Sequence, residues 1–171
     1  GVSVGGLARH GLLAALLLAA PRLARAADGL TVRAEPGTLL LGEQATAILV
    51  VEAPAGTPAP LLTANLGTIE ALAPAGPGRW TARYRPPAKR YPQVALVGAV
   101  AGERQGFTAI LLVGQGEALI QARPNQRIDS VRIGDRSFGP FQADAKGDAR
   151  VPVQVPPGVT HAYHAGKAID L

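Results

Sequence analysis

The residues of this chain that could do chemistry are few and scattered. Beyond an apolar leader there are two histidines, His161 and His164, and two serines, Ser130 and Ser137. A serine–histidine–carboxylate set is recognised by geometry and not by order along the chain, so these residue types are compatible with acyl transfer. Yet Asp129-Ser130-Val131 and Arg136-Ser137-Phe138 lack the G-x-S-x-G turn that exposes a nucleophilic serine. His161 and His164 would meet on one face of a helix, but in a strand an odd spacing sends the rings to opposite faces. Asp144 and Asp148 flank Gly147, with Asp135 upstream. A calcium ion wants about six to eight oxygens, and the D-x-D-x-D-G spacing is missing, so these aspartates read as turn formers. Cysteine is absent, which removes thiolate nucleophiles and zinc–thiolate sites. The sequence therefore predicts no catalytic constellation, no metal site and no cofactor.

Two groups could bind a partner. Arg79, Arg83, Arg85, Lys89 and Arg90 form a basic cluster that would attract an acidic polysaccharide, lipid phosphates or an acidic protein. The competing account is a solvated face whose charges and prolines protect an edge strand from aggregation. Trp80, Tyr84, Tyr91 and Tyr163 could stack on sugars. Against that, the chain has one Trp and three Tyr, and a lone Trp in so aromatic-poor a sequence is expected to anchor the core.

These residues have to be positioned by short extended elements. Apolar or alternating runs recur every 8–14 residues between Gly and Pro breaks. They are Leu30 to Ala34, Thr38 to Leu41, Ala45 to Glu52, Leu61 to Asn65, Thr68 to Leu72, Arg79 to Arg85, Gln93 to Ala101 and Phe107 to Val113. Such spacing predicts an all-β sandwich or barrel. Between Arg79 and Arg85, Trp80, Ala82 and Tyr84 fall on one face, and Arg79, Thr81, Arg83 and Arg85 on the other. Lys146-Gly147 predicts a hairpin turn, glycine being free to adopt positive φ, and Val151, Val153 and Val155 share one face of the strand after it. Gly114-Gln115-Gly116 is the expected hinge.

The first 26 residues predict an export signal. Arg9 and His10 precede the uncharged run Leu12 to Ala20, Pro21 ends it, and Ala24-Arg25-Ala26 places small residues at a cleavage site. A nine-residue helix reaches only about 14 Å, whereas a bilayer core needs roughly 20 apolar residues. Cleavage after Ala26 removes three of the 17 basic side chains and none of the 12 acidic ones, leaving 14 against 12, a charge of +2. So even a balance argues against nucleic-acid binding, which normally needs a basic stripe. With no cysteine after the cut, an acylated N-terminal anchor is excluded. Methionine is absent even at position 1, and Leu171 falls within an apolar pattern, so the chain is expected to be part of a longer one. Abundant Ala, Gly, Pro and Arg with three Lys suggests a GC-rich bacterial source.

Gly78-Arg79-Trp80-Thr81-Ala82-Arg83-Tyr84-Arg85-Pro86-Pro87 followed by Tyr91-Pro92-Gln93-Val94-Ala95-Leu96-Val97 resembles the late strands of a bacterial immunoglobulin-like repeat of the invasin or filamin type. Gly42-Glu43-Gln44-Ala45-Thr46 and Leu61 to Ile69 add to the resemblance, which covers residues ~30–114. The Cys–Trp–Cys hallmark of antibody domains is absent. Val131 to Val159 resembles a second immunoglobulin-like or carboxypeptidase-regulatory-like β-module. The expected layout is thus a signal peptide (1–26), an immunoglobulin-like β-sandwich (27–114) and a second, incomplete β-module (115–171). The resemblance implies a non-catalytic structural spacer, or an adhesive, protein-binding module, of a bacterial surface, periplasmic or secreted protein. The alternative is a carbohydrate-binding accessory module. The partner is expected to be a protein or a cell-envelope polysaccharide, with no membrane span left after signal cleavage.

Overall fold

The computed structural model describes residues 29–43 and 45–171. The expected signal segment lies outside the described residues. Eight strands build the first half: β1 (Thr31–Glu35), β2 (Thr38–Leu40), β3 (Ala47–Glu52), β4 (Leu61–Ala64), β5 (Thr68–Gly76), β6 (Arg79–Arg85), β7 (Gln93–Ala101) and β8 (Arg104–Gln121). One sheet has the order β1-β3-β6-β5. The other contains β4, β7 and β8, with β2 added parallel to β8. The chain leaves the first sheet at Pro36-Gly37 and joins the second, so β1 and β2 serve opposite sheets. With β1 and β2 counted as one strand split between the sheets, a four-stranded sheet of first, second, fifth and fourth strands faces one of third, sixth and seventh, which is the immunoglobulin arrangement.

Side-chain alternation decides which residues close this sandwich. On β6, Trp80, Ala82 and Tyr84 are buried while Arg79, Arg83 and Arg85 are exposed. They meet Leu49 and Val51 of β3, Val97 of β7, and Ile110 and Leu112 of β8 in one core. Each fully buried Leu, Ile or Val contributes roughly 1.5–3 kcal/mol. The surface ion pairs contribute about 0–1 kcal/mol each, so apolar burial sets the fold. Apart from Tyr84 and Trp80, no side chain with a polar atom is buried among the described residues.

The second half has β9 (Arg127–Ile128), β10 (Val131–Ile133), β11 (Arg136–Phe138), β12 (Phe141–Gln142), β13 (Asp148–Val155), β14 (His161–His164) and β15 (Lys167–Asp170). They form the sheet β11-β10-β14-β15 and the pair β12-β9, while β13 joins β8. Val151, Val153 and Val155 point together into a second core with Ile120, Ile128, Val131 and Ile133. Pro152, unable to donate a hydrogen bond, faces out of β13 opposite Glu117.

Three expectations need correction. The segment Gly114-Gln115-Gly116 is strand, not hinge: pairing of β8 passes from β7, ending at Leu112↔Gln93, to β13, starting at Gly114↔Val155. Glycine is needed there for close approach, because a Cβ on Gly114 would lie 2.7 Å from Pro92 Cδ and 2.8 Å from the Arg90 carbonyl. The turn at Lys146-Gly147 forms, but β12 before it pairs with β9 and β13 after it pairs with β8. It therefore connects two sheets instead of closing a hairpin. Finally, β5 runs past Leu72 to Gly76, with an irregular register between Glu70 and Ala73 where Ala71 has φ 56°.

Candidate functional site

The basic residues divide between a strand and a loop. Arg79, Arg83 and Arg85 point outward from β6, as alternation requires. The same outer face carries acids in register: Glu52 opposite Arg79, and Glu70 opposite Arg83. Arg79 Nη1 lies 3.7 Å from Glu52, Arg85 Nε 3.4 Å from Glu70, and Arg33 Nε 2.8 Å from Glu35. The glutamates hold the Arg33 guanidinium even more firmly protonated than usual, Glu35 above all. Glu35, Glu52 and Glu70 thus offset much of the positive charge that Arg33, Arg79, Arg83 and Arg85 bring to this face. Lys89 and Arg90 belong to the loop between β6 and β7, where the Arg90 guanidinium lies over Gly42.

The aromatic candidates do not converge. Trp80 is 8% exposed and Tyr84 0%, both in the first core, so neither offers a ring face to a sugar. The alternating pattern of β6 and the rarity of aromatics had pointed to a core role for Trp80. The Tyr84 hydroxyl donates to the Leu66 carbonyl at 2.9 Å, and burial raises its pKa. Tyr91 is well exposed on the β6–β7 loop. Tyr163 lies on β14, with the Arg132 guanidinium 4.8 Å from its ring centre. That cation–π contact uses one ring face within the protein itself.

The titratable residues are likewise engaged locally. His164 Nδ1 is 3.2 Å from the backbone carbonyl of Ser130, not its hydroxyl. His161 Nε2 is 3.0 Å from Asp170, and its Nδ1 is 2.8 Å from the Thr160 hydroxyl. Asp144 Oδ1 accepts from the backbone N–H groups of Lys146 and Asp148 at 2.8 and 2.9 Å. Those donors, Asp148 first, lower the Asp144 pKa. Gly147 closes the same turn with φ 92° and abuts the Ala122 carbonyl, where no Cβ fits. Among the described residues, no three His, Asp or Glu side chains are grouped so as to hold a metal. No helix among them is long and apolar enough to cross a membrane.

One surface was not singled out by the sequence reading. Alternation exposes Val94, Leu96 and Val100 on β7, Phe107 and Leu111 on β8, and Leu61 on β4. Registers set them side by side: Leu61↔Val100, Gly98↔Phe107, Leu96↔Ala109 and Val94↔Leu111. The signal was present in the letters. Both Gln93-Val-Ala-Leu-Val-Gly-Ala-Val-Ala101 and Gln105-Gly-Phe-Thr-Ala-Ile-Leu-Leu-Val113 lack a charge at either parity, whereas a strand with one solvated face normally alternates.

The strand order defines an all-β protein with an immunoglobulin-like sandwich and a second, smaller β-module. No family model matches the chain, and no curated protein matches it. Among solved structures, it is similar to the adhesin InvE of Yersinia pseudotuberculosis at 13% identity and a TM-score of 0.39. That alignment covers 81% of this chain and 56% of the other, so the chain spans little more than half the length of that structure.

Proposed function

We propose that the chain is a non-catalytic module of an exported bacterial protein, periplasmic or on the cell surface. It acts as a structural spacer or as a protein-binding, adhesive domain. The observation that carries this reading is β8. Its 18 residues run without a break from one core into the other, a length of roughly 60 Å at about 3.4 Å per residue. Two units, 27–114 and 115–171, joined by a shared hydrogen-bonded strand would bend far less than two joined by a free linker. That stiffness suits a spacer that holds loops and sheet faces at a set distance from their attachment. Export rests on the leader, whose apolar run and small-residue cleavage site belong to a removed signal. The local engagement of His161, His164 and the aspartates supports the non-catalytic part. Burial of Trp80 and Tyr84 weakens the carbohydrate alternative, which leaves Tyr91 and Tyr163 on separate elements.

The test is whether the two cores respond as one body. Val151 lies in the second core and Trp80 in the first. Val151→Ala is expected to lower the urea midpoint read by Trp80 fluorescence, with one calorimetric transition for the whole chain. Two independent transitions, with the Trp80 midpoint unmoved, would remove the spacer reading. Saturable binding to one member of a glycan array would instead favour the carbohydrate module.

A further inference from the structure

The two outer faces of the sandwich differ in chemistry. The β1-β3-β6-β5 sheet presents Arg33, Glu52, Glu70, Arg79, Arg83 and Arg85, with Ile48 and Leu72 as its exposed large apolar side chains. The β4-β7-β8 sheet presents Phe107 at 76% exposure, Leu61 at 69%, Leu96 and Val100 at 50%, Leu111 at 44% and Val94 at 38%. Solvated sheet faces are ordinarily polar, and one made of neighbouring Phe, Leu and Val marks a contact surface.

From this face we infer that the chain forms a symmetric dimer, a second copy stacking its β4-β7-β8 sheet on the first. Area supports it. With full side-chain areas of roughly 150–220 Å², these six residues expose on the order of 600 Å² of apolar surface. That equals the upper end of what a monomer leaves in one patch, and with a polar rim it approaches the ~800 Å² per partner of a stable interface. Charge supports it as well. A two-fold contact brings each patch against its own copy, and no charged residue lies in Gln93–Ala101 or Gln105–Val113, so no like charges meet.

Shape narrows the occupant further. The backbone of β7 is hydrogen-bonded on both sides, to β4 and to β8, leaving an extended peptide no free amides at the centre of the face. A second sheet needs none, because stacked sheets meet through side chains about 10 Å apart. Phe107 stands beside Gly98, where an added Cβ would meet only Thr63 Oγ1, at 3.4 Å. The protruding ring and the bare glycine next to it form a knob and a hole on one surface. A two-fold axis through the middle of the face would seat each Phe107 over the other copy's Gly98. This inference stands apart from the spacer reading, since it needs only the sheet face.

Sedimentation velocity of the full chain from low to high micromolar concentration tests it, with Phe107→Ala, Phe107→Glu and Leu96→Lys beside the parent. The expected result is a concentration-dependent dimer, weakened about 30-fold or more by each substitution, as for a central interface anchor. Arg83→Glu, on the opposite face, should leave it unchanged. Trp80 emission reports whether each variant keeps its fold, and Phe107→Ala adds no charge to the sheet if glutamate unsettles it. A parent that stays monomeric at every concentration would overturn the proposal. So would a dimer that Phe107→Ala and Leu96→Lys both leave intact.

Discussion

Replacing Tyr84 by Phe tests whether this ring belongs to the core or to a binding face. The side chain is fully buried, and its hydroxyl reaches across from β6 to the Leu66 carbonyl at 2.9 Å. Phenylalanine keeps the ring, so no cavity opens and only the hydrogen bond is lost. A buried hydrogen bond contributes about 0.5–1.5 kcal/mol net, and an acceptor left dry costs up to about 3 kcal/mol. Leu66 is only half-buried, so water can reach its carbonyl, and the lower range applies: about 0.5–1.5 kcal/mol. Tyr84→Ala, which also empties the ring's volume, should cost about 3–5 kcal/mol. The assay is urea unfolding followed by Trp80, on the same strand and in the same core. The midpoint should fall with the slope unchanged. There is a pH counterpart. Burial raises the Tyr84 pKa above its ordinary 10.0, so the folded chain holds that proton more tightly than the unfolded one. The stability this provides is complete below the unfolded value and is lost as pH rises past it towards the folded pKa. The parent should therefore lose more stability above about pH 10 than Tyr84→Phe does. A Tyr84→Phe variant as stable as the parent, with the same alkaline limb, would refute the reasoning.

Trp80 emission should be blue-shifted, poorly quenched by acrylamide and unmoved by any glycan; a red-shifted, easily quenched signal that responds to one sugar would contradict its core position. Gly147→Ala places a Cβ against the Ala122 carbonyl at φ 92° and should destabilise the chain by about 1–3 kcal/mol, measured by thermal unfolding. Asp144 has a lowered pKa, so its contribution is present above the ordinary carboxylate value and disappears as pH falls through the folded one. Asp144→Asn should therefore lower stability at neutral pH and flatten the acid limb of a circular-dichroism titration. Arg150 pairs with Glu117 at 2.8 Å, but its side chain is 74% exposed, and Arg150→Ala should leave the urea midpoint almost where it is in the parent.

Much of the architecture was legible because its causes are local. Alternation in Arg79–Arg85 predicts which side chains go inward, since a strand cannot turn Trp80 and Arg79 the same way. In the first half the Gly and Pro breaks locate the strands to within a few residues, apart from the ends of β5 and β8, whereas the short strands β9 to β12, β14 and β15 carried no comparable signal. The sequence also placed Arg79, Arg83 and Arg85 on one outer face. It could not show Glu52 and Glu70 opposite them, because that charge balance depends on strands far apart in sequence meeting in register. For the same reason the four aromatic candidates looked like one set. Separation of the pairs Trp80–Tyr84 and Tyr91–Tyr163 follows from which sheet and which loop each occupies.

What the sequence determined by itself is the extended character of the segments, the absence of thiol chemistry and the inward apolar set of β6 and β13. These follow from backbone sterics, residue type and a two-residue period. Which strands pair was decided only in three dimensions. Gly114-Gln115-Gly116 reads as a flexible joint because glycine is permissive, yet it becomes strand when β13 takes up the hydrogen bonds that β7 relinquishes. Lys146-Gly147 reads as a hairpin, yet its flanking strands find partners in different sheets. In each case the residue permits several conformations, and long-range pairing selects one. The apolar face of β4, β7 and β8 has the same origin: each strand carries part of it, and only their registers make it a surface.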